Sequence, residues 1–103
     1  MTSIELSFPP DDPAANGHFP GNPIIPGAVL LSEVLRAIEA QLGVALWPCQ
    51  IKMAKFFNPV RPGDQVQIDV TNRESSEIRF TCMVDGKSVL AGQVVKTLPL
   101  AAK

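Results

Sequence analysis

Cysteine is scarce in this chain, with Cys49 and Cys82 the only two, far apart and in no CxxC spacing. That excludes a disulfide framework, and the absence of an HExxH pattern removes the commonest zinc arrangement, so no metal or redox cofactor is expected and both thiols are read as reduced and partly buried. Excess positive charge is also missing. Nine Lys and Arg stand against ten Asp and Glu, for a net charge of -1. They are scattered, and no basic stripe exists to neutralise phosphates along a nucleic acid or to coat an anionic membrane. No apolar run approaches the ~20 residues that span a bilayer. The first residues, with Glu5, Asp11 and Asp12, lack the basic-then-apolar order of a signal peptide, so a cytoplasmic protein with neither membrane nor nucleic acid as partner is expected. Histidine is the scarcest chemical group of all: His18 is the only imidazole.

What is present reads as one domain over residues 1–103. A chain of this size buries only about 60 to 68% of its unfolded surface, so a partner subunit would add welcome burial. Ile4, Leu6 and Phe8 alternate with Glu5 and Ser7, the period of a half-buried strand, which Pro9-Pro10 ends. Leu31, Val34, Leu35, Ile38 and Leu42 recur at helical spacing and Gly43 follows as a natural C-terminal cap, predicting an amphipathic helix over 28–42. Everything after Trp47 reads as strand and turn. Ile51, Met53 and Phe57 mark one strand, Val66, Ile68 and Val70 a second, and Ile78, Phe80, Cys82 and Val84 a third; Val89 to Thr97 forms the last. Arg61-Pro62-Gly63-Asp64 is a turn by its Pro-Gly pair, and Asp85-Gly86 is a two-residue hairpin turn. Short connections imply an antiparallel sheet, and a lone helix with one apolar stripe is best buried across it, which makes the fold class α+β.

The stretch from Gly17 to Gly27 carries the chemistry. Six of the ten prolines fall between Pro9 and Pro26, and they alternate with glycines and with the apolar Phe19, Ile24 and Ile25. Prolines fix φ and glycines allow close backbone approach, so such a loop holds His18 and a few amides in a defined geometry as it runs into the helix. An unperturbed imidazole titrates near ~6.5, which suits it to take a proton at neutral pH. Gly27 stands where the helix starts, and an amide there has no intrahelical acceptor and turns its partial positive charge outward. The plainer alternative is that Pro26-Gly27 is only a turn into the helix.

The run His18-Phe19-Pro20-Gly21-Asn22-Pro23-Ile24-Ile25-Pro26-Gly27-Ala28-Val29-Leu30-Leu31 resembles the signature of the hotdog-fold 3-hydroxyacyl-[acyl-carrier-protein] dehydratases. The likeness continues through Ile51-Lys52, through Asn58-Pro59-Val60-Arg61-Pro62-Gly63-Asp64 and through Val84-Asp85-Gly86-Lys87, and so covers nearly the whole chain. In length the chain is similar to the short dehydratase-like proteins associated with aryl polyene synthesis. The resemblance implies a curved antiparallel sheet wrapped around one central helix, paired into a homodimer or higher even oligomer with sites at the interface. It implies an acyl thioester substrate on an acyl carrier protein or coenzyme A, with His18 acting on the α-carbon proton and with Phe19, Gly27 and Ala28 binding the substrate. The Gly27 amide would polarise the thioester carbonyl.

One position departs from that pattern. Fourteen residues beyond the histidine the family carries an acid that helps the 3-hydroxyl leave, and here stands Ser32; the family's glutamine four places further on is Arg36. A carboxyl near the operating pH passes a proton to a departing hydroxide, whereas a serine hydroxyl is a poor donor without an activated partner. Glu33 is the neighbouring carboxyl, but on a helix it falls away from the apolar stripe while Ser32 lies at its flank. Two readings of Glu33 follow: an exposed ion pair with Arg36, or a catalytic or water-positioning carboxylate. Val29, Leu30, Phe56, Phe57 and Phe80 read as core, or in part as the lining of an acyl tunnel. Lys52, Lys55 and Arg61 read as a solvated edge, or as a face for an acidic carrier or a phosphopantetheine phosphate. The expected activity is reversible dehydration of 3-hydroxyacyl thioesters, with His18, Ser32 and Glu33 as candidate catalytic residues. The alternatives are a non-catalytic acyl-thioester-binding protein or heterodimer partner, and a thioesterase on the same fold.

Overall fold

A computed structural model describes residues 2–11, 23–43, 45–46, 49–73 and 77–96. Strand β1 (Thr2–Ser7) is followed by helix α1 (Gly27–Leu42) and then by β2 (Cys49–Phe56), β3 (Gln65–Arg73), β4 (Glu77–Val84) and β5 (Lys87–Lys96). The strands form one five-stranded sheet in the order β1-β3-β4-β5-β2, antiparallel throughout. Consecutive strands from β3 to β5 pair as hairpins. The crossover that carries the helix separates β1 from β2, and the sheet ends on these two.

Alternation does what it implied in the middle of the sheet. Val66, Ile68 and Val70 of β3 and Ile78, Phe80 and Cys82 of β4 are buried, while Gln65, Gln67 and Arg79 between them face solvent. On α1 the buried set is Leu30, Val34, Leu35 and Ile38, with Leu31 and Leu42 only half-buried. Leu30 thus joins the buried set at the head of the helix, with Leu31 packed half-buried against the same core. Four buried aliphatic side chains contribute on the order of 6 to 12 kcal/mol before the entropy of ordering them is subtracted.

Both turns have the chemistry their residues dictate. Pro62 and Gly63, with Gly63 at φ 93°, make a type II turn closed by the Asp64 N–H to the Arg61 carbonyl at 3.0 Å; the Asp64 carboxylate also accepts from the Arg61 N–H at 2.8 Å. Asp85 and Gly86, at φ 51° and 77°, form a type I′ hairpin turn between paired Val84 and Lys87. At the other end of the molecule Gly43 takes φ 67° and donates to the Glu39 carbonyl at 2.9 Å, closing the helix. The Glu39 carboxylate then accepts the Leu46 N–H at 2.7 Å, which fixes where the chain turns toward β2.

β2 departs from the expectation that Ile51, Met53 and Phe57 mark a single strand. It ends at Phe56, and its pairing with β5 slips between Ile51 and Met53, leaving Lys52 as the extra residue of a bulge. None of its residues is buried: Ile51 is 44% exposed, Phe56 50%, and Phe57 just beyond it 53%.

Gly92 is where the core leaves no choice of residue. It lies opposite Phe80 across β4 and β5, and a β-carbon there would collide with the fully buried ring, whose Cε2 would be 2.9 Å away. Gly92→Ala is expected to lower the unfolding free energy by about 1 to 3 kcal/mol, seen as a fall in the urea midpoint at unchanged slope. Cys82, beside it on β4, has its thiol pushed up from 9.0 to about 12 by burial and secondarily by the negative Asp69; Cys49 is raised by burial and by Glu39. Below pH 9 both states keep the Cys82 proton, but between 9 and about 12 only the unfolded chain readily loses it, so stability is expected to fall as pH climbs through that window. A thiol reagent at neutral pH should leave Cys82 unmodified until the protein is unfolded.

Candidate active site

The site is assembled by three short backbone and side-chain ties. The Ile25 N–H donates to the Val60 carbonyl at 2.8 Å, and both side chains are almost fully buried, at 3% and 1% exposure. This clasp binds the segment before α1 to the chain that leaves β2. That chain is itself held to β5, by the Phe57 N–H to the Val89 carbonyl at 2.9 Å and by the Asn58 side-chain amide to the Ser88 carbonyl at 2.7 Å. The helix start is thereby fixed against the sheet margin.

Between the two walls lies an apolar cleft of about 350 Å³. Ile24, Ile25 and Leu30 line it on the helix side, Phe56, Phe57 and Asn58-Pro59-Val60 on the sheet side, and Gly27 sits at its head. A β-carbon at Gly27 would come 3.2 Å from Cε1 and Cζ of Phe56, so the ring would have to give by a few tenths of an ångström to admit one. The first intrahelical bond is the Leu30 N–H to the Pro26 carbonyl at 2.9 Å, which leaves the amides of Gly27, Ala28 and Val29 without an intrahelical acceptor. Pro26 occupies the capping position with no side-chain cap, and the first turn carries no acidic residue. Apolar walls thus meet the positive end of the helix, an arrangement that suits an acyl group whose carbonyl oxygen needs a donor.

Of the residues singled out from the sequence, His18 and Phe19 lie outside the described residues. Gly27 is at the cleft, and Ala28 is exposed next to it. Ser32 is half-buried and is not among the cleft's lining residues. Glu33 is engaged with Arg36, Oε2 to Nη1 at 3.9 Å with the arginine 73% exposed, which is the ion-pair reading of that carboxylate. A surface pair of this kind is worth a few tenths of a kcal/mol. Lys52, Lys55 and Arg61 are exposed. Sequence reasoning did not place Asn58, Pro59 and Val60 at the site. The available signal was an apolar valine inside a proline-rich turn, where a wholly solvated turn has no use for one.

Comparison with known proteins gives these features a context. The model of the family described as ApeI-like, ApeI dehydratase, matches residues 1–93. The 3-hydroxyacyl-[acyl-carrier-protein] dehydratase FabZ of Caulobacter vibrioides is 34% identical over 109 aligned positions, covering 88% of this chain and 68% of that protein. The enzyme of the same name from Ehrlichia chaffeensis is 30% identical over 94 positions, covering 82% of this chain and 66% of its own length. Among solved structures, the dehydratase heterocomplex ApeI:P from Xenorhabdus doucetiae superposes with a TM-score of 0.71 at 25% identity, covering 90% of this chain and 83% of that one.

Amide hydrogen exchange reads the clasp and the open helix start separately. The Ile25 amide is expected to exchange slowly, with the Gly27, Ala28 and Val29 amides exchanging far faster and gaining protection when an acyl thioester analogue is added. Equal protection at all four positions without ligand would contradict the uncapped start.

Proposed function

The chain belongs to the ApeI-like dehydratase family, and from that premise we propose that it removes water reversibly from 3-hydroxyacyl thioesters to give 2-enoyl thioesters. The observation that carries the reading is the trio of amides without an intrahelical acceptor at the start of α1, beside an apolar cleft and following the His18 motif in sequence. In this scheme the thioester carbonyl accepts from the Gly27 amide, which stabilises the enolate that forms when the α-carbon–hydrogen bond breaks. The proton passes to the His18 ring. As the bond from the β-carbon to oxygen breaks, the hydroxide departs with a proton returned by the imidazolium, and the carbon–carbon double bond forms. Ser32, standing where relatives of this pattern keep a carboxyl but outside the lining of its own cleft, would meet the departing hydroxyl or a water from the second copy of a paired site, while Glu33 stays with Arg36.

The same proposal includes a cytoplasmic homodimer or higher even assembly acting on substrates delivered by an acyl carrier protein. Supporting it is β2, an edge strand that carries Ile51, Met53, Ala54 and Phe56 yet buries none of them. Such an edge invites a second copy to continue the sheet.

A second reading, a non-catalytic partner in a heterodimer, is favoured specifically by Ser32. Enoyl absorbance after addition of a 3-hydroxyacyl thioester separates the two. Dehydration is expected, falling by about 10²-fold or more in His18→Ala, since positioned acid–base groups are typically worth 10² to 10⁴. Activity indifferent to that change would remove His18 from the mechanism, and no activity at all would favour the partner role. Ser32→Glu is expected to raise kcat by about 10-fold or more by supplying a proton donor; a fall would instead assign the serine hydroxyl an essential part. Ile51→Lys should shift the protein toward monomer in sedimentation.

A further inference from the structure

Phe56 lines the cleft beside Gly27 and, like Phe57, is not buried. Its ring tip lies against Gly27, close enough that even a methyl group on that residue would be 3.2 Å from two ring carbons, and yet half of its surface is open. Leu30, the other large residue near the helix start, is 2% exposed and locked in the core. Phe56 belongs to β2, the strand with no residue buried within one copy of the chain. The ring therefore borders the space immediately next to Gly27, whose amide receives the carbonyl in the proposed scheme.

We propose that Phe56 is the residue that selects substrates by their bulk at the carbon next to the thioester carbonyl, admitting unbranched 3-hydroxyacyl groups and disfavouring those with a 2-methyl branch. The inference rests on the reading that the carbonyl is held at Gly27. With the carbonyl oxygen there, the α-carbon is the substrate atom nearest the ring, and a branch on it competes with the ring for one volume. The distal end of the acyl chain lies away from Phe56 and is not read by it. A close-packed wall discriminates one methyl group by roughly 10- to 200-fold, and opening it forfeits that preference. No chemical step is added: a 2-methyl-3-hydroxyacyl thioester still carries one α-hydrogen, so it remains a competent substrate for loss of water.

The test compares wild type with Phe56→Ala, Phe56→Leu and Phe56→Trp on matched pairs of 3-hydroxyacyl thioesters, with and without a 2-methyl branch, and on an unbranched series of increasing length. Binding of the corresponding non-hydrolysable thioether analogues is measured by calorimetry alongside turnover. The ratio of kcat/KM for unbranched over branched substrate is expected to drop about 10-fold or more in Phe56→Ala, to drop less in Phe56→Leu and to rise in Phe56→Trp, with the dependence on chain length unchanged. The analogues' affinities should follow the same order. Turnover with the same branching ratio in all four proteins overturns the role of Phe56 and leaves the dehydratase reading standing. So does a change that falls equally on branched substrates and on chain length. Analogue binding that follows the expected order without any turnover supports the selector and overturns the dehydratase reading, and failure of wild type to bind any analogue overturns both.

Discussion

The hydrogen bond from the Ile25 amide to the Val60 carbonyl is the constraint on which the site depends. It joins two nearly fully buried residues, one just before the helix and one just after the peripheral strand β2, which no strand pairing would otherwise bring together. Breaking it in a dry setting would leave a donor and an acceptor uncompensated, a cost of about 1 to 3 kcal/mol for each group. The prolines on either side of Ile25 reduce the entropy lost in making it, because they have little freedom to give up. Helix orientation, cleft width and the direction of the free amides are all set within a few residues of that bond.

Much of the architecture was legible because it rests on local rules. The type II turn at Pro62-Gly63 and the type I′ turn at Asp85-Gly86 follow from residues that tolerate positive φ, and the burial of β3 and β4 follows from a period of two. The helix was legible to within one residue at its start. Less of the site was. The place of Gly27 at a helix start came from the proline–glycine pattern, but the contact of Phe56 with it and the role of Asn58-Pro59-Val60 are matters of tertiary approach, and no spacing in the chain encodes them. That Leu30 is buried while Leu31 is only half-buried is likewise set by how the helix packs, since both positions fit the helical period. Ile51 looks like a core residue by composition and pairs with the buried Val94, yet it stands in the open because β2 is the edge of the sheet, and Phe57 lies just beyond that strand.

The two ends of the helix are treated in opposite ways. At the far end, Gly43 and the Glu39 carboxylate complete the hydrogen bonding, and the connection toward β2 is pinned. At the near end Pro26 holds the capping position and offers no side chain to complete it, so the two ends of this sixteen-residue element differ among the described residues. Gly92 and Phe80 belong to the rigid part: the ring fills the place a side chain on the opposite strand would have taken, so the middle of the sheet tolerates no drift in register.

With Pro26 at the capping position, the helix forgoes the roughly 1 kcal/mol that a serine, threonine or aspartate there confers on an ordinary helix, and on the proposed reading this leaves its first amides to a substrate. Any sequence change that recovered this energy would fill the same donors with a permanent internal acceptor. Robustness and reactivity are therefore set against each other at a single turn of backbone, and a more heat-resistant form of this protein would have to draw its gains from elsewhere in the molecule.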